Sequence, residues 1–179
     1  QGGAITNLAA LDDKLIIFKS SRMYYLTGEG PTNTGTQNDF SEPILISSDV
    51  GCSDVDSLVL TSLGLIFKSS KGIYLLDRNL QATYIGADVD SYNSSTISSA
   101  VLVENTNQVR FTTTDNVCLV YDYLRQQWST FTNHTANDGI IWQGVYCYLK
   151  STGKVLRETS SEFFDELNSI SMLIETAWI

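Results

Sequence analysis

Leu15–Gly28 reads LIIFKSSRMYYLTG, and Gly64–Asp77 reads GLIFKSSKGIYLLD. Ile17-Phe18-Lys19-Ser20-Ser21 returns letter for letter as Ile66-Phe67-Lys68-Ser69-Ser70, 49 residues further on. Tyr25-Leu26 returns as Tyr74-Leu75 at the same spacing. Self-similarity at a spacing of roughly 20–50 residues marks a repeat architecture. Each copy is a short apolar run, a polar turn and a second apolar run, rich in β-branched and aromatic residues. That pattern reads as a β-hairpin. A helix is disfavoured because breakers cut every run short.

Two looser copies lie downstream. Asn107–Tyr123, NQVRFTTTDNVCLVYDY, turns at Asp115-Asn116, and its Asp122 stands 45 residues beyond Asp77. Gly144–Glu158, GVYCYLKSTGKVLRE, turns at Thr152-Gly153. Further strand candidates are Ser57–Ser62, Ala82–Gly86, Ile97–Val103, Gln127–Thr132 and Gly139–Gln143. Grouped in order, they give units of four consecutive strands. A four-stranded antiparallel unit of about 40–50 residues is the size of a propeller blade.

The expected fold is therefore all-β: a β-propeller segment of about four antiparallel blades, with repeats near 8–49, 50–92, 93–136 and 137–158. Residues 159–179 then open a following segment, and the Thr159/Glu162 spacing suggests a short helix over Ser160–Asn168. Leu15–Phe18 and Val117–Tyr121 are apolar without alternation, as in strands covered on both faces. A β-sandwich is the competing fold. The repeat predicts that Phe18, Phe67 and Phe111 are buried equivalents. The opening Gln1-Gly2-Gly3 and the apolar ending Ala177-Trp178-Ile179 suggest part of a longer chain.

The 179 residues are 42% hydrophobic and 17% charged, with a net charge of −9. That composition is globular, and it argues against a nucleic-acid grip built on clustered Lys and Arg. No apolar run approaches the ~20 residues of a membrane span. Cys52, Cys118 and Cys147 are isolated, so they read as small buried hydrophobes rather than a redox or zinc motif.

Nucleophilic catalysis needs a base, and His134, the single histidine, reads as a solvated residue of a polar turn. Asp88–Asn93, DVDSYN, has alternating oxygen ligands but lacks the Gly and distal Glu of a calcium loop. Asn93 and Asn133 match the glycosylation sequon. No Gly-rich phosphate loop precedes a helix. The sequence thus points to no catalytic residue, no cofactor and no metal, and to a protein that is not an enzyme.

Gly28–Pro43, GEGPTNTGTQNDFSEP, holds both prolines. It is long for a simple connection, and such loops are usually functional or mobile. Pro31, Asn38, Phe40 and Pro43 mark it as a candidate assembly loop, with Phe40 as its one large apolar anchor.

The phrases GEGPTNTGTQNDFSEPILISSDVGC, GLIFKSSKGIYLLDRNLQATYIG, NQVRF, LVYDYLRQQWSTF and IIWQGVYCYLK, spread over Leu8–Glu158, resemble propeller-bearing tail proteins of short-tailed bacteriophages. The resemblance is to the nozzle, or tail tubular protein B-like, component, or to a related protein that stabilises packaged DNA. It implies a structural virion protein in the phage tail, made in the host bacterial cytoplasm. Its partners would be copies of itself in a ring, typically a hexamer in that family, and neighbouring tail, portal or adaptor proteins. DNA would pass through the ring without specific binding. The alternative function is a propeller that binds or cleaves host glycans during attachment. A third reading is a sensor-like propeller with no viral link.

Overall fold

A computed structural model describes residues 3–30 and 39–159, and the backbone of 164–165 and 168–169. The chain is all-β, built from sheets that are each continuous in sequence. Sheet A contains β1 (Ile5–Leu11), β2 (Lys14–Lys19), β3 (Met23–Leu26) and β4 (Ile44–Ser47). Sheet B contains β5 (Val59–Leu60), β6 (Gly64–Ser69), β7 (Gly72–Asp77) and β8 (Ala82–Tyr84). Sheet C contains β9 (Ile97–Val103), β10 (Gln108–Thr113), β11 (Val117–Asp122) and β12 (Gln127–Thr132). Sheet D contains β13 (Ala136–Trp142), β14 (Val145–Lys150) and β15 (Val155–Arg157). Strands pair with their sequence neighbours in antiparallel order in every sheet. Short turns permit this at every connection within a sheet except that between β3 and β4, which a long segment joins; parallel pairing would need crossovers of about a dozen or more residues.

The sheets pack in series. One core joins A to B through Ile16, Phe18, Met23, Leu65, Phe67 and Leu76. A second joins B to C through Val59, Ile66, Ile73, Val109, Phe111 and Leu119. A smaller one joins C to D through Val101, Val103 and Tyr146. Alternate residues of one strand serve opposite cores: Leu65 and Phe67 face A, while Ile66 faces C. A strand covered on both sides needs no polar face, and all of β6 is buried.

Phe18, Phe67 and Phe111 are all fully buried. Phe18 and Phe67 are not equivalents, however. Phe18 faces forward onto sheet B and Phe67 faces back onto sheet A, so their rings meet at 5.0 Å. The turns explain this. Lys19 N–H donates to Arg22 O across Ser20-Ser21, whereas Ser69 pairs with Gly72 across Ser70-Lys71. Turn for turn, Lys19 therefore matches Ser69, 50 residues on, and Ile17 matches Phe67. A shift of one residue moves a side chain to the other face of a sheet.

Gly72 is the cause. It adopts φ +113°, where a Cβ would meet the Tyr84 ring and Asn93 Oδ1. Met23 stands at the matching letter of the first copy. A non-glycine residue is strained at that φ, so the first hairpin turns one residue earlier and Met23 becomes a buried strand residue.

The helix expected over Ser160–Asn168 is corrected where it is described. Phe164–Asp165 (β16) pairs antiparallel with Asn168–Ser169 (β17). Asp and Asn favour turns over helix interiors. The remainder of that expectation lies outside the described residues.

Candidate functional site

The polar chemistry collects at the seams between sheets. At the A–B seam, Thr6 Oγ1 donates to Cys52 O at 2.8 Å and Asn7 Nδ2 to Val55 O at 2.8 Å. Asp12 pairs with Arg78, joining the β1–β2 turn to the β7–β8 turn. Lys71 pairs with Asp49 at 2.7 Å.

The B–C seam holds a buried cation. Lys68 follows Phe67 but points to the opposite face. Its Nζ donates to Asn93 O at 2.9 Å and Ser95 O at 3.0 Å, in the segment leading into β9. Ser57 Oγ accepts from Lys68 N–H at 2.9 Å, and Asp54 accepts from Ile97 N–H at 2.9 Å. Burial lowers the Lys68 pKa, and the Asp54 charge opposes the shift. Trp128 Nε1 completes the seam by donating to Ile85 O at 2.7 Å. Lys68→Met keeps the stem and removes two charge-assisted bonds. We expect about 2 kcal/mol of lost stability, read as a lower urea midpoint with an unchanged slope; an unaltered midpoint would show that the two carbonyls need no donor.

The C–D seam is the richest in ionisable groups. Arg110 is buried and makes a two-pronged pair with Glu158 at 3.0 and 3.1 Å. Its guanidinium lies 4.7 Å from the centre of the Tyr146 ring. Burial holds the Tyr146 hydroxyl well above its ordinary value. His134 Nε2 lies 3.2 Å from Tyr146 Oη, and its ring sits 4.4 Å from that of Tyr148. This corrects the expectation of a solvated histidine: His134 is half-buried in an aromatic stack. A groove of about 600 Å³ opens beside the pair, lined by Asn105, Thr106, Arg110, Tyr146, Arg157 and Glu158 among others. Arg110 and Glu158 neutralise each other there, with Arg110 Nη1 and Nη2 spent on closing the seam.

Asp88–Asn93 falls in a 3-10 turn, Ala87–Tyr92, with Val89 buried. Asn93 gives its carbonyl to Lys68 and its amide to Tyr84 Oη. Among the described residues, no group of three or more His, Cys, Asp or Glu side chains could hold a metal. All three cysteines are free and buried.

The candidate loop has a closed neck. Ser41 N–H donates to Thr27 O at 2.9 Å, and Asp39 accepts from the N–H groups of Glu29 and Gly30 at 3.1 and 2.6 Å. Phe40 is 39% exposed and lies over Gly30, close enough that an added Cβ would sit 3.0 Å from its ring. The anchor therefore stays within the loop neck instead of entering a sheet core. Pro43 is exposed. Pro31 and Asn38 lie outside the described residues.

These features define the class: an all-β repeat protein of serially packed antiparallel sheets, joined at each seam by polar contacts, with a buried cation, Lys68 or Arg110, at the B–C and C–D seams. No family model and no curated protein matches the chain. Among solved structures it is similar to the computationally designed Ika4 protein, with 15% identity and a TM-score of 0.49 over 88% of this chain and 92% of that one. It is also similar to PorZ, an essential bacterial surface component of the type-IX secretion system of Porphyromonas gingivalis. That match has 9% identity and a TM-score of 0.43, covering 96% of this chain and 28% of that one. No helix among the described residues is long and apolar enough to cross a membrane.

Proposed function

We propose that the chain is a β-propeller segment of a bacteriophage tail protein of the nozzle kind, a structural part that works by self-assembly into a ring through which DNA passes. The carrying observation is how the charged groups at the B–C and C–D seams are used, Lys68 and Arg110 being buried, Asp54 half-buried and Glu158 exposed. Lys68, Asp54, Arg110 and Glu158 spend their charges fastening one sheet to the next. This use suits a rigid building block. The phrases quoted from Leu8–Glu158 supply the link to phage tails. A net charge of −9 suits a wall that repels phosphates and lets a duplex slide.

The neighbourhood of the coding sequence tests the assignment. Portal and terminase genes beside it are the expected finding; a host operon for secretion or sensing would overturn the reading. Activity offers a second check. Incubation with host polysaccharides should release no reducing sugar. Release abolished by a single carboxylate substitution would promote the glycan-cleaving alternative.

In this reading the Gly28–Pro43 loop contacts a neighbouring subunit of the tail ring. Its neck closes on itself, so replacing residues 31–38 by Gly-Ser should change stability by less than about 0.5 kcal/mol, as surface changes do. Light scattering of the full-length protein should show weakened rings. Intact rings would remove the loop from the interface.

A further inference from the structure

Every seam joins the same two kinds of face. The forward face carries Ile16 and Phe18 in sheet A, Ile66 in sheet B, and Val101 and Val103 in sheet C. The backward face carries Leu65, Phe67 and Leu76 in sheet B, and Val109, Phe111 and Leu119 in sheet C. Among the described residues, two faces are left over. On sheet A the backward face presents Leu8, Ile17, Tyr24 and Leu45, which pair in one row across all four strands. Leu8 is 59% exposed and Leu45 is 48% exposed. On sheet D the forward face presents Ile140, Trp142, Leu149 and Val155, exposed by 64%, 56%, 41% and 72%.

These are the faces that buried partners cover at each internal seam. Ile17 takes the place that Phe67 holds in the next sheet, by the turn-for-turn alignment. Ile140 and Leu149 lie on the side of sheet D opposite Tyr146 and Tyr148, which face sheet C. An apolar patch of this kind marks an interaction site. We propose that two copies of this chain associate head to tail, sheet D of each on sheet A of the other, repeating the internal seam. The occupant follows from continuity: what fits the backward face of a sheet here is the forward face of another sheet of the same repeat. Such a contact is heterologous, and it closes a ring when the rotation permits. Two copies joined at both ends place their sheets in one circle of about eight, within the usual 4–8 blades of a closed propeller.

The proposal rests on the seams and not on the tail assignment. Gene neighbours can refute the tail reading while the dimer stands, and a monomer would refute the dimer while leaving the tail reading to its own test. The experiment is size-exclusion chromatography with light scattering on the chain, with Leu8→Glu and Ile140→Glu each checked by circular dichroism for a retained fold. The expected wild-type mass is twice 19.8 kDa. Each variant alone should run as a monomer, because each copy uses both faces. Mixing the two variants should restore a dimer, since one unmodified D-on-A contact remains. A wild-type monomer at every concentration, masses that grow without limit, or a dimer that survives either variant alone would overturn the proposal.

Discussion

Phe67→Ala should lower stability by roughly 3–5 kcal/mol, the usual cost of emptying a buried phenylalanine site. Phe67 is fully buried at the A–B seam, between Phe18 at 5.0 Å and Tyr74 at 6.3 Å. The loss is a large share of a total of about 5–15 kcal/mol. Urea unfolding reads it as a lower midpoint. Phe131→Ala is the control, because Phe131 is 44% exposed and should change stability by less than about 0.5 kcal/mol. Near-wild-type unfolding of Phe67→Ala would mean that sheets A and B are not packed on one another.

A double-mutant cycle with Phe18→Ala adds a finer test. Rings in contact carry a coupling of about 0.5–1.5 kcal/mol beyond their area. Residues holding equivalent places in successive sheets would not touch and would show additive losses. The cycle therefore distinguishes the spacing of 49 residues, at which the letters repeat, from the spacing of 50, at which the turns repeat.

That difference shows how far the sequence could be read. Sheets B and C were legible nearly strand by strand. Their runs are short and apolar, and Gly72 and Asp115-Asn116 punctuate them. Gln127–Thr132 and Ile97–Val103 form strands with the expected bounds. Sheet A was legible only in its central hairpin. β1, ITNLAAL, mixes polar and small residues, and β4 has only four residues beyond the proline-containing loop. Neither has the dense β-branched and aromatic pattern that signals a strand. The face of each strand was not legible from letters alone, because a turn placed one residue earlier reverses it. The seam cations were hidden for a related reason. Lys68 and Arg110 look like ordinary surface charges. A signal was present for Lys68, which follows Ile66 on its own face and Phe67 on the other; Arg110 shares its face with Gln108 and Thr112, which reads as an ordinary wet face.

The seams also make the fold sensitive to alkali. Burial pushes the Cys52 thiol up to about 11 and the Cys118 thiol up to about 12, from an ordinary value of 9.0. Burial also raises Tyr121 and Tyr146 above their ordinary 10.0. All four are acids whose folded pKa exceeds the unfolded one. The folded chain then keeps protons that the unfolded chain releases. Their stabilising effect is complete below pH 9 and is lost as pH rises toward the folded values. At about 1.36 kcal/mol per unit, the two thiols together cost on the order of 5 kcal/mol by pH 11. Lys68 works in the opposite sense. Its pKa is depressed by burial, so stability gains slightly as pH rises toward the ordinary lysine value of 10.5, but this is one group against four. Urea unfolding at pH 8, 9, 10 and 11 should show stability flat to pH 9 and falling steeply afterwards. In the Cys52→Ala, Cys118→Ala double variant the fall between pH 9 and 10 should flatten, leaving the tyrosine share above pH 10. A wild-type chain equally stable at pH 9 and 11 would show that water reaches these thiols, and that the cores beneath sheets A and C are open.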